Sequence, residues 1–471
     1  MFVLRPPILA CFLALCSALS ADVQAHNAVR QGHAAVPAYS VVGVTEAQLS
    51  PRYWLQRLQN PDRVLMSPAA IAEQNARLLR LDDSMHDLQA WPLSTSRNTI
   101  TGAIGALSAL PDRPLYDEDG QRVPPQTLQS LVDALHLDSV PDAAPTRYGL
   151  VLRRTALRTF PTGMRVFSTQ GNTDIDRFQE SALFPGTPVA ILHRSRDAQW
   201  LWVVSHNYQA WVREADIAEG RREQVLAYAA KTPHRVITGA KVPTVFTRER
   251  PQLSELQLDM GVRVPLAEVA PDAAVNGQHS YTSWVVDLPV RDAQGRLAFA
   301  PALLQKNQDT ALKSLPLTQA NILGQAFKFL GERYGWGHSY NGRDCSGFVA
   351  EVYRSMGVEL PRNTGDQSDS PALNHAIFDG DDDARARRKA VDALQVGDLI
   401  YIPGHVMIMI GRVDGAPYVI HDINGGAYMD AGGVMRSMNL NSVALTPLLS
   451  LRFNPDQTYV DRITSIVRIR P

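Results

Sequence analysis

Cysteine is scarce in this chain, with three in 471 residues: Cys11, Cys16 and Cys345. Long apolar runs are scarcer still. The one near the start, Ile8 to Ser20 (ILACFLALCSALS), falls short of the roughly 20 residues a membrane-spanning helix needs, and nothing later is longer. The sequence therefore predicts no transmembrane segment. A charge excess is also missing. Lys+Arg 46 against Asp+Glu 47 leaves a formal charge of −1, which argues against bulk electrostatic binding to nucleic acid or to an anionic membrane. A monomer is expected.

The N-terminal run has a different use. Arg5 precedes it, and small residues follow at Ala18, Ser20, Ala21 and Ala25. Residues 1–25 read as a secretory signal peptide, cut after Ser20 or after Ala25, which predicts a periplasmic or extracellular protein. A lipoprotein signal at Leu13-Ala14-Leu15-Cys16 fits less well, because Leu15 is bulky. Removal of the signal leaves Cys345 as the single thiol, in a compartment that favours disulfides. Such a cysteine is a buried hydrophobe, an intermolecular link or a reactive group.

The rest of the chain changes texture twice. Residues 26–145 form a mostly helical N-terminal region after a loose, polar leader. Ser67 and Pro68 start one helix there, as N-cap and first-turn proline, and Leu128 to Leu135 form another. Residues 146–220 break into short strands and turns: Thr187–His193, Gln199–Ser205 and Gln209–Arg213. Runs of this length and spacing predict a small β-barrel. The pattern recurs loosely over 221–305, where Trp284-Val285-Val286 echoes Trp202-Val203-Val204, so two tandem barrels are expected in preference to one larger sandwich. The last domain, 316–471, opens on a helix capped by Thr318 and contains a charged stretch, Asp379 to Lys389, expected to be a solvated loop.

Cys345 lies in that domain. The preceding segment YGWGHSYNGRD is rich in Gly and Asn and predicts a tight loop. Phe348, Val349, Val352, Tyr353 and Met356 then repeat at helical spacing. Asp344 stands where an N-cap belongs, which puts Cys345 in the first helical turn. Unpaired N–H groups and the helix dipole there favour a thiolate, although the Asp344 carboxylate opposes it unless it points elsewhere. A basic partner has to come from another element. His405 opens the apolar strand Val406 to Ile410, and His421 ends Tyr418-Val419-Ile420. The intervening Arg412 to Pro417 (RVDGAP) reads as a hairpin loop, which brings 405 close to 421–424. His421, Asp422 or Asn424 is then the candidate to orient the His405 ring; alternation puts His421 and Asp422 on opposite faces. No CxxC or HxxxH spacing supports a zinc site, and no metal or cofactor is expected.

These residues resemble the NlpC/P60 cysteine peptidases. The likeness rests on Tyr334-Gly335-Trp336-Gly337, Asp344-Cys345-Ser346-Gly347-Phe348, Leu360-Pro361-Arg362-Asn363-Thr364 with Gln367, Val396-Gly397-Asp398-Leu399 and Gly404-His405-Val406. It implies a papain-like α+β peptidase domain behind two small SH3-like β-barrels and the helical region. It implies Cys345 as nucleophile, His405 as general base and His421 as the residue that orients it. Tyr334, Asp344, Ser346 and Thr364 are the implied substrate-binding residues. The arrangement is similar to γ-D-glutamyl-L-diamino-acid endopeptidases, in which a barrel narrows the cleft to short peptidoglycan stem peptides, murein tripeptide or tetrapeptide, with a free L-Ala amine. His338 departs from the pattern, since the loop often has a second Gly there, and Ser368 to Ala393 resembles a long insertion. A wall-binding protein with little catalysis, or an amidase or acyltransferase on the same fold, is the alternative.

Overall fold

The computed structural model describes residues 43–380, 384–429 and 433–470. The expected signal peptide, with Cys11 and Cys16, and most of the leader lie outside the described residues.

Helices start where the caps predict. Ser67 Oγ accepts from Ala70 N at 3.2 Å and Pro68 takes the first turn. The N-terminal helices are α1 (Pro51–Leu55), α2 (Pro68–Leu81), α3 (Arg97–Leu107) and α4 (Pro125–Ala134). Helix α4 begins ahead of the expected Leu128 because Pro125 itself is tolerated at the first position. These helices share no core of their own. Trp54, Ile71 and Leu78 pack into the core of the C-terminal domain. Ile100, Ile104, Leu131 and Leu135 pack instead against the first β module. A helix with a single apolar face has to borrow a second layer, and this region borrows two.

The first β module is one antiparallel sheet of seven strands: β1 (Arg147–Val151), β2 (Thr155–Arg158), β3 (Gln179–Leu183), β4 (Pro188–Arg194), β5 (Trp200–Val204), β6 (Gln209–Arg213) and β7 (Ile217–Gly220). Their order is β3-β2-β6-β5-β4-β1-β7. Trp202 and Trp211 stand opposite each other on β5 and β6, with ring centroids 5.6 Å apart. Helix α5 (Arg222–Ala230) leads to a second module made of β8 (His234–Ile237), β9 (Arg263–Pro265), the long hairpin β10 (Ser283–Arg291) and β11 (Leu297–Gln305), and β12 (Thr310–Ala311). Its core of Ile237, Val264, Val286, Leu288 and Leu304 also takes in Phe184 from the first module.

The C-terminal domain packs helices α6 (Gln319–Phe327) and α7 (Cys345–Arg354) against a six-stranded antiparallel sheet. The sheet comprises β13 (Asn374–Ile377), β14 (Leu399–Ile402), β15 (His405–Val413), β16 (Ala416–Ile423), β17 (Ser442–Pro447) and β18 (Ser465–Arg468), in the order β13-β18-β14-β15-β16-β17. A short helix, α8 (Thr364–Asp369), follows α7. The charged stretch is not a solvated loop over its whole length. From Ala384 it becomes a helix, α9 (Ala384–Asp392), on which Arg387 and Val391 turn inward, and Arg387 Nε donates to Ile463 O at 2.8 Å. A buried stripe of two residues four apart is too short to register as periodicity among so many charges. No helix among the described residues is long and apolar enough to cross a membrane.

Candidate active site

Asp344 caps α7, with its Oδ1 accepting from Gly347 N at 2.8 Å. Cys345 is the first helical residue. Its Sγ rests against the turn between β14 and β15, 3.9 Å from Gly404 O, and the Val406 N–H is directed at it. His405 stands between those two residues. Ile408 on β15 pairs with Ile420 on β16, and this register puts His405 and His421 on one face of the sheet. His405 Nε2 is 2.8 Å from His421 Nδ1, and His421 Nε2 is 3.0 Å from Thr446 Oγ1 on β17. The two other candidates for orienting His405 go elsewhere. Asp422 falls on the opposite face, buried with neither carboxylate oxygen hydrogen-bonded. The Asn424 amide turns to Asp174 and Asn441.

Burial governs the protonation of this group. It pushes the Cys345 thiol up to about 12, helped by Asp344 and opposed by the Val406 N–H. It pushes His405 down to about 4. His421 is held well below its ordinary range by burial and then by His405. The resting pair is a neutral thiol and a neutral imidazole. The thiolate that a helix start alone leads one to expect is outweighed by desolvation.

Beside Cys345 lies a second cluster, centred on Arg362. Its guanidinium donates to Asp344 Oδ2 at 2.7 Å, to Ser346 Oγ at 2.9 Å and to Ser181 Oγ, on β3 of the first module, at 2.6 Å. Asp344 also accepts from Gly337 N at 3.0 Å and from Ser346 Oγ at 3.3 Å. With the Gly347 N–H, that makes four donors on a carboxylate with about four acceptor sites. Burial raises the Asp344 carboxyl, but Arg362 and the surrounding donors hold it below the usual range. Tyr334 is buried against the same group; burial and then Cys345 and Asp344 push its phenol up. Thr364 opens α8 two residues beyond Arg362, and among the described residues its hydroxyl joins none of these groups.

The first β module forms one wall. Trp336 Nε1 donates to Gln179 O at 2.9 Å, and Gln179 Nε2 to Gly337 O at 2.7 Å. Gly337 has φ +55°, and a Cβ there would stand 2.8 Å from Gln179 Cγ, so only glycine lets β3 approach this loop. Glu180 and Tyr208 come with it. Tyr208 OH donates to Glu180 Oε2 at 2.6 Å, Thr159 Oγ1 donates to Glu180 Oε1 at 2.5 Å, and Asp344 and Arg362 are close enough to act on the Tyr208 phenol. Nothing in the sequence of the first β module marks these residues, because their place depends on docking to another domain. The docking is anchored by Arg343, which is 0% exposed and reaches Glu351 (2.7 Å), Glu332 (2.6 Å) and Asp259 of the second module (2.9 Å). Arg154, from the first module, donates to the same Asp259 oxygen at 2.9 Å and to Gly342 O at 2.6 Å.

Residues 331–439 match the family model for NlpC/P60, and residues 165–213 match that for an SH3 domain of the SH3b1 type. A γ-D-glutamyl-L-lysine dipeptidyl-peptidase from Bacillus cereus is 28% identical over 210 residues, 42% of this chain and 56% of that protein. The match thus spans little more than half of that relative. A solved NlpC/P60 endopeptidase from Photobacterium damselae subsp. piscicida superposes with a TM-score of 0.69, covering 88% of this chain and 96% of that one at 16% identity, a likeness of fold. A solved NlpC/P60 family protein from Bacillus cereus covers 69% of this chain and 100% of its own at 20% identity, with a TM-score of 0.47. This chain therefore carries a region that matches the NlpC/P60 family, with a region that matches an SH3 domain of the SH3b1 type ahead of it.

Proposed function

We propose that this protein is an exported peptidoglycan endopeptidase that cuts the bond between γ-D-Glu and the diamino acid of stem peptides carrying a free N-terminal L-Ala. Residues 316–471 form its papain-like peptidase domain, and residues 221–305 a second SH3-like barrel behind the first. The reading rests above all on one observation: Cys345, at the start of a helix, lies against the turn that carries His405, and His405 is hydrogen-bonded to His421.

The proton inventory of that chain gives the mechanism. When His421 Nε2–H donates to Thr446 Oγ1, His421 Nδ1 is free to accept from His405 Nε2–H. His405 Nδ1 then carries the lone pair that takes the Cys345 proton. Cys345 Sγ attacks the γ-carbonyl carbon of D-Glu, the C–N bond breaks, and His405 returns the proton to the leaving amine. A water gives a proton to His405 and cleaves the thioester, regenerating the thiol. First-turn N–H groups of α7 stabilise the oxyanion. Because thiol and imidazole are both neutral at rest, proton transfer accompanies attack.

Substrate length is limited by the barrel wall. Asp344 supplies negative charge at the closed end, but its acceptor sites are filled. Glu180 accepts one hydrogen bond on each oxygen and retains capacity for an ammonium group. Tyr334 and Ser346 border the same space. The γ-D-glutamyl activity named for the Bacillus cereus relative supports this choice of bond. The test offers the enzyme L-Ala-γ-D-Glu-diaminopimelate, its N-acetylated form and intact sacculi, with products identified by mass spectrometry. Release of L-Ala-D-Glu from the free-amine peptide is expected. Cleavage of sacculi but not of the tripeptide contradicts the amine-end specificity, and release from sacculi of whole stem peptides with a free L-Ala amine would favour an amidase.

A further inference from the structure

His338 occupies a position whose backbone strain asks for an explanation. It has φ +67°, a left-handed conformation uncommon for a residue with a side chain, yet its ring is almost wholly buried. The ring lies against α7 so closely that a Cβ at Gly347 would stand 2.5 Å from His338 Cε1. It also packs edge-on against Phe184 of the first β module, with centroids 5.7 Å apart.

Both ring nitrogens are engaged. Nε2 is 3.1 Å from Glu351 Oε1, and Nδ1 is 3.3 Å from Arg362 Nη2. The partners dictate the tautomer. Arg362 can only donate, so Nδ1 must be a lone pair. The Glu351 carboxylate already accepts from Arg343 Nε at 2.7 Å on its other oxygen, and it accepts from His338 Nε2–H. A second proton would set Nδ1–H against the guanidinium. Burial, and then Arg362, hold the imidazole well below its ordinary range, consistent with the neutral form.

Arg362 Nη2 is the atom that matters. One of its hydrogens goes to Asp344 Oδ2 at 2.7 Å, and the other is directed between His338 Nδ1 and the more distant Glu180 O at 3.5 Å. We propose that His338 is a specificity-positioning residue: its Nδ1 fixes the rotation of the Arg362 guanidinium, and through it the placement of Asp344 and of the Glu180 backbone at the amine end of the cleft. The inference rests on the free-amine reading above. Its chemistry concerns one class of ligand, a peptide with an unblocked N-terminal ammonium.

Without the imidazole, Arg362 keeps its charge but loses one of the acceptors that orient it. Losing a hydrogen bond to a charged group of this kind corresponds to roughly a tenfold effect or more. The test measures kcat and KM for L-Ala-γ-D-Glu-diaminopimelate and for its N-acetyl form in wild type, His338→Gly and His338→Asn. Glycine suits the backbone, and Asn Oδ1 occupies the place of Nδ1 while tolerating positive φ. The expected result is a KM for the free-amine peptide raised roughly tenfold in His338→Gly, kcat nearly unchanged, and recovery of KM in His338→Asn. An unchanged KM in His338→Gly overturns the proposal, as does an equal loss on both peptides that Asn does not restore. Should His338→Gly fail to fold, His338→Asn decides alone: a wild-type KM supports the role and a raised KM refutes it. A wild type that cleaves both peptides equally overturns the free-amine reading itself, before any variant is compared.

Discussion

His405 Nε2 and His421 Nδ1 stand 2.8 Å apart, and the second imidazole is 3.0 Å from the Thr446 hydroxyl. Three side chains on three neighbouring strands thus form one proton-ordered line. Thr446 is its outermost member, with its hydroxyl the only partner of His421 Nε2 among the described residues. Thr446→Val keeps the shape and removes the oxygen. It is expected to lower kcat about tenfold, with little change in KM, because the wrong His421 tautomer becomes accessible and His405 is less often a base. Steady-state kinetics on the tripeptide check this; an unchanged kcat removes Thr446 from the line.

The pH profile has a definite sign. A general base works deprotonated, and His405 is held at about 4 against an ordinary 6.5. The acid limb of kcat/KM is therefore expected near pH 4 to 5, not near 6.5. A limb centred at 6.5 would show that the ring is solvated in the working enzyme.

The same burial affects stability. His338, His405 and His421 all bind protons less readily in the folded chain than an exposed histidine does. Below about pH 6.5 the unfolded chain takes up protons that the folded chain does not, so stability is complete above that pH and is lost as the pH falls. Urea midpoints are expected to fall between pH 7.5 and pH 5. In the triple variant with these histidines replaced by Gln, the fall should be smaller.

Arg343 joins the C-terminal domain to Asp259 of the second module. Replacing it by Met takes the shared guanidinium from Glu351, Glu332 and Asp259, leaving them His338, Lys241 and Arg154 as partners, and Asp259 is a carboxylate that burial already pushes up. Removing one partner of a buried network costs about 3–5 kcal/mol. Differential scanning calorimetry of Arg343→Met is expected to show a much lower midpoint, with cleavage by added protease appearing between the second module and residue 316.

Trp54 tests the attachment of the N-terminal segment. Its indole N–H donates to Gln48 O at 2.8 Å, and its ring covers Gly411, where a Cβ would meet Cε3 at 2.7 Å. Trp54→Ala is expected to cost about 3–5 kcal/mol, as measured by denaturant unfolding. A loss below about 1 kcal/mol would mean that the segment does not depend on this contact for its seat.

The features legible in the sequence are local ones. Asp344 as N-cap, Cys345 in the first helical turn and the hairpin at residues 412–417 follow from spacing within a few residues, and the hairpin is enough to bring His405 and His421 together. What the sequence does not show is what depends on docking. Arg362 shows as one letter of a motif, but its partners Ser181 and Glu180 sit in another domain. Thr446 lies on a strand buried on both faces, where no alternation distinguishes a core threonine from a functional one. His338 stood out as a departure from the loop pattern, and only its two ring contacts give that departure a meaning. The division of the N-terminal helices between two cores was hidden for the same reason: an apolar face does not name what covers it.

The central claim is that Cys345, with His405, breaks the γ-D-Glu bond. The most direct test incubates L-Ala-γ-D-Glu-diaminopimelate with wild type and with Cys345→Ala and follows L-Ala-D-Glu by mass spectrometry. Release by the wild type and none by a folded Cys345→Ala protein is the predicted result. Equal release by both, or an intact tripeptide in both, would contradict it.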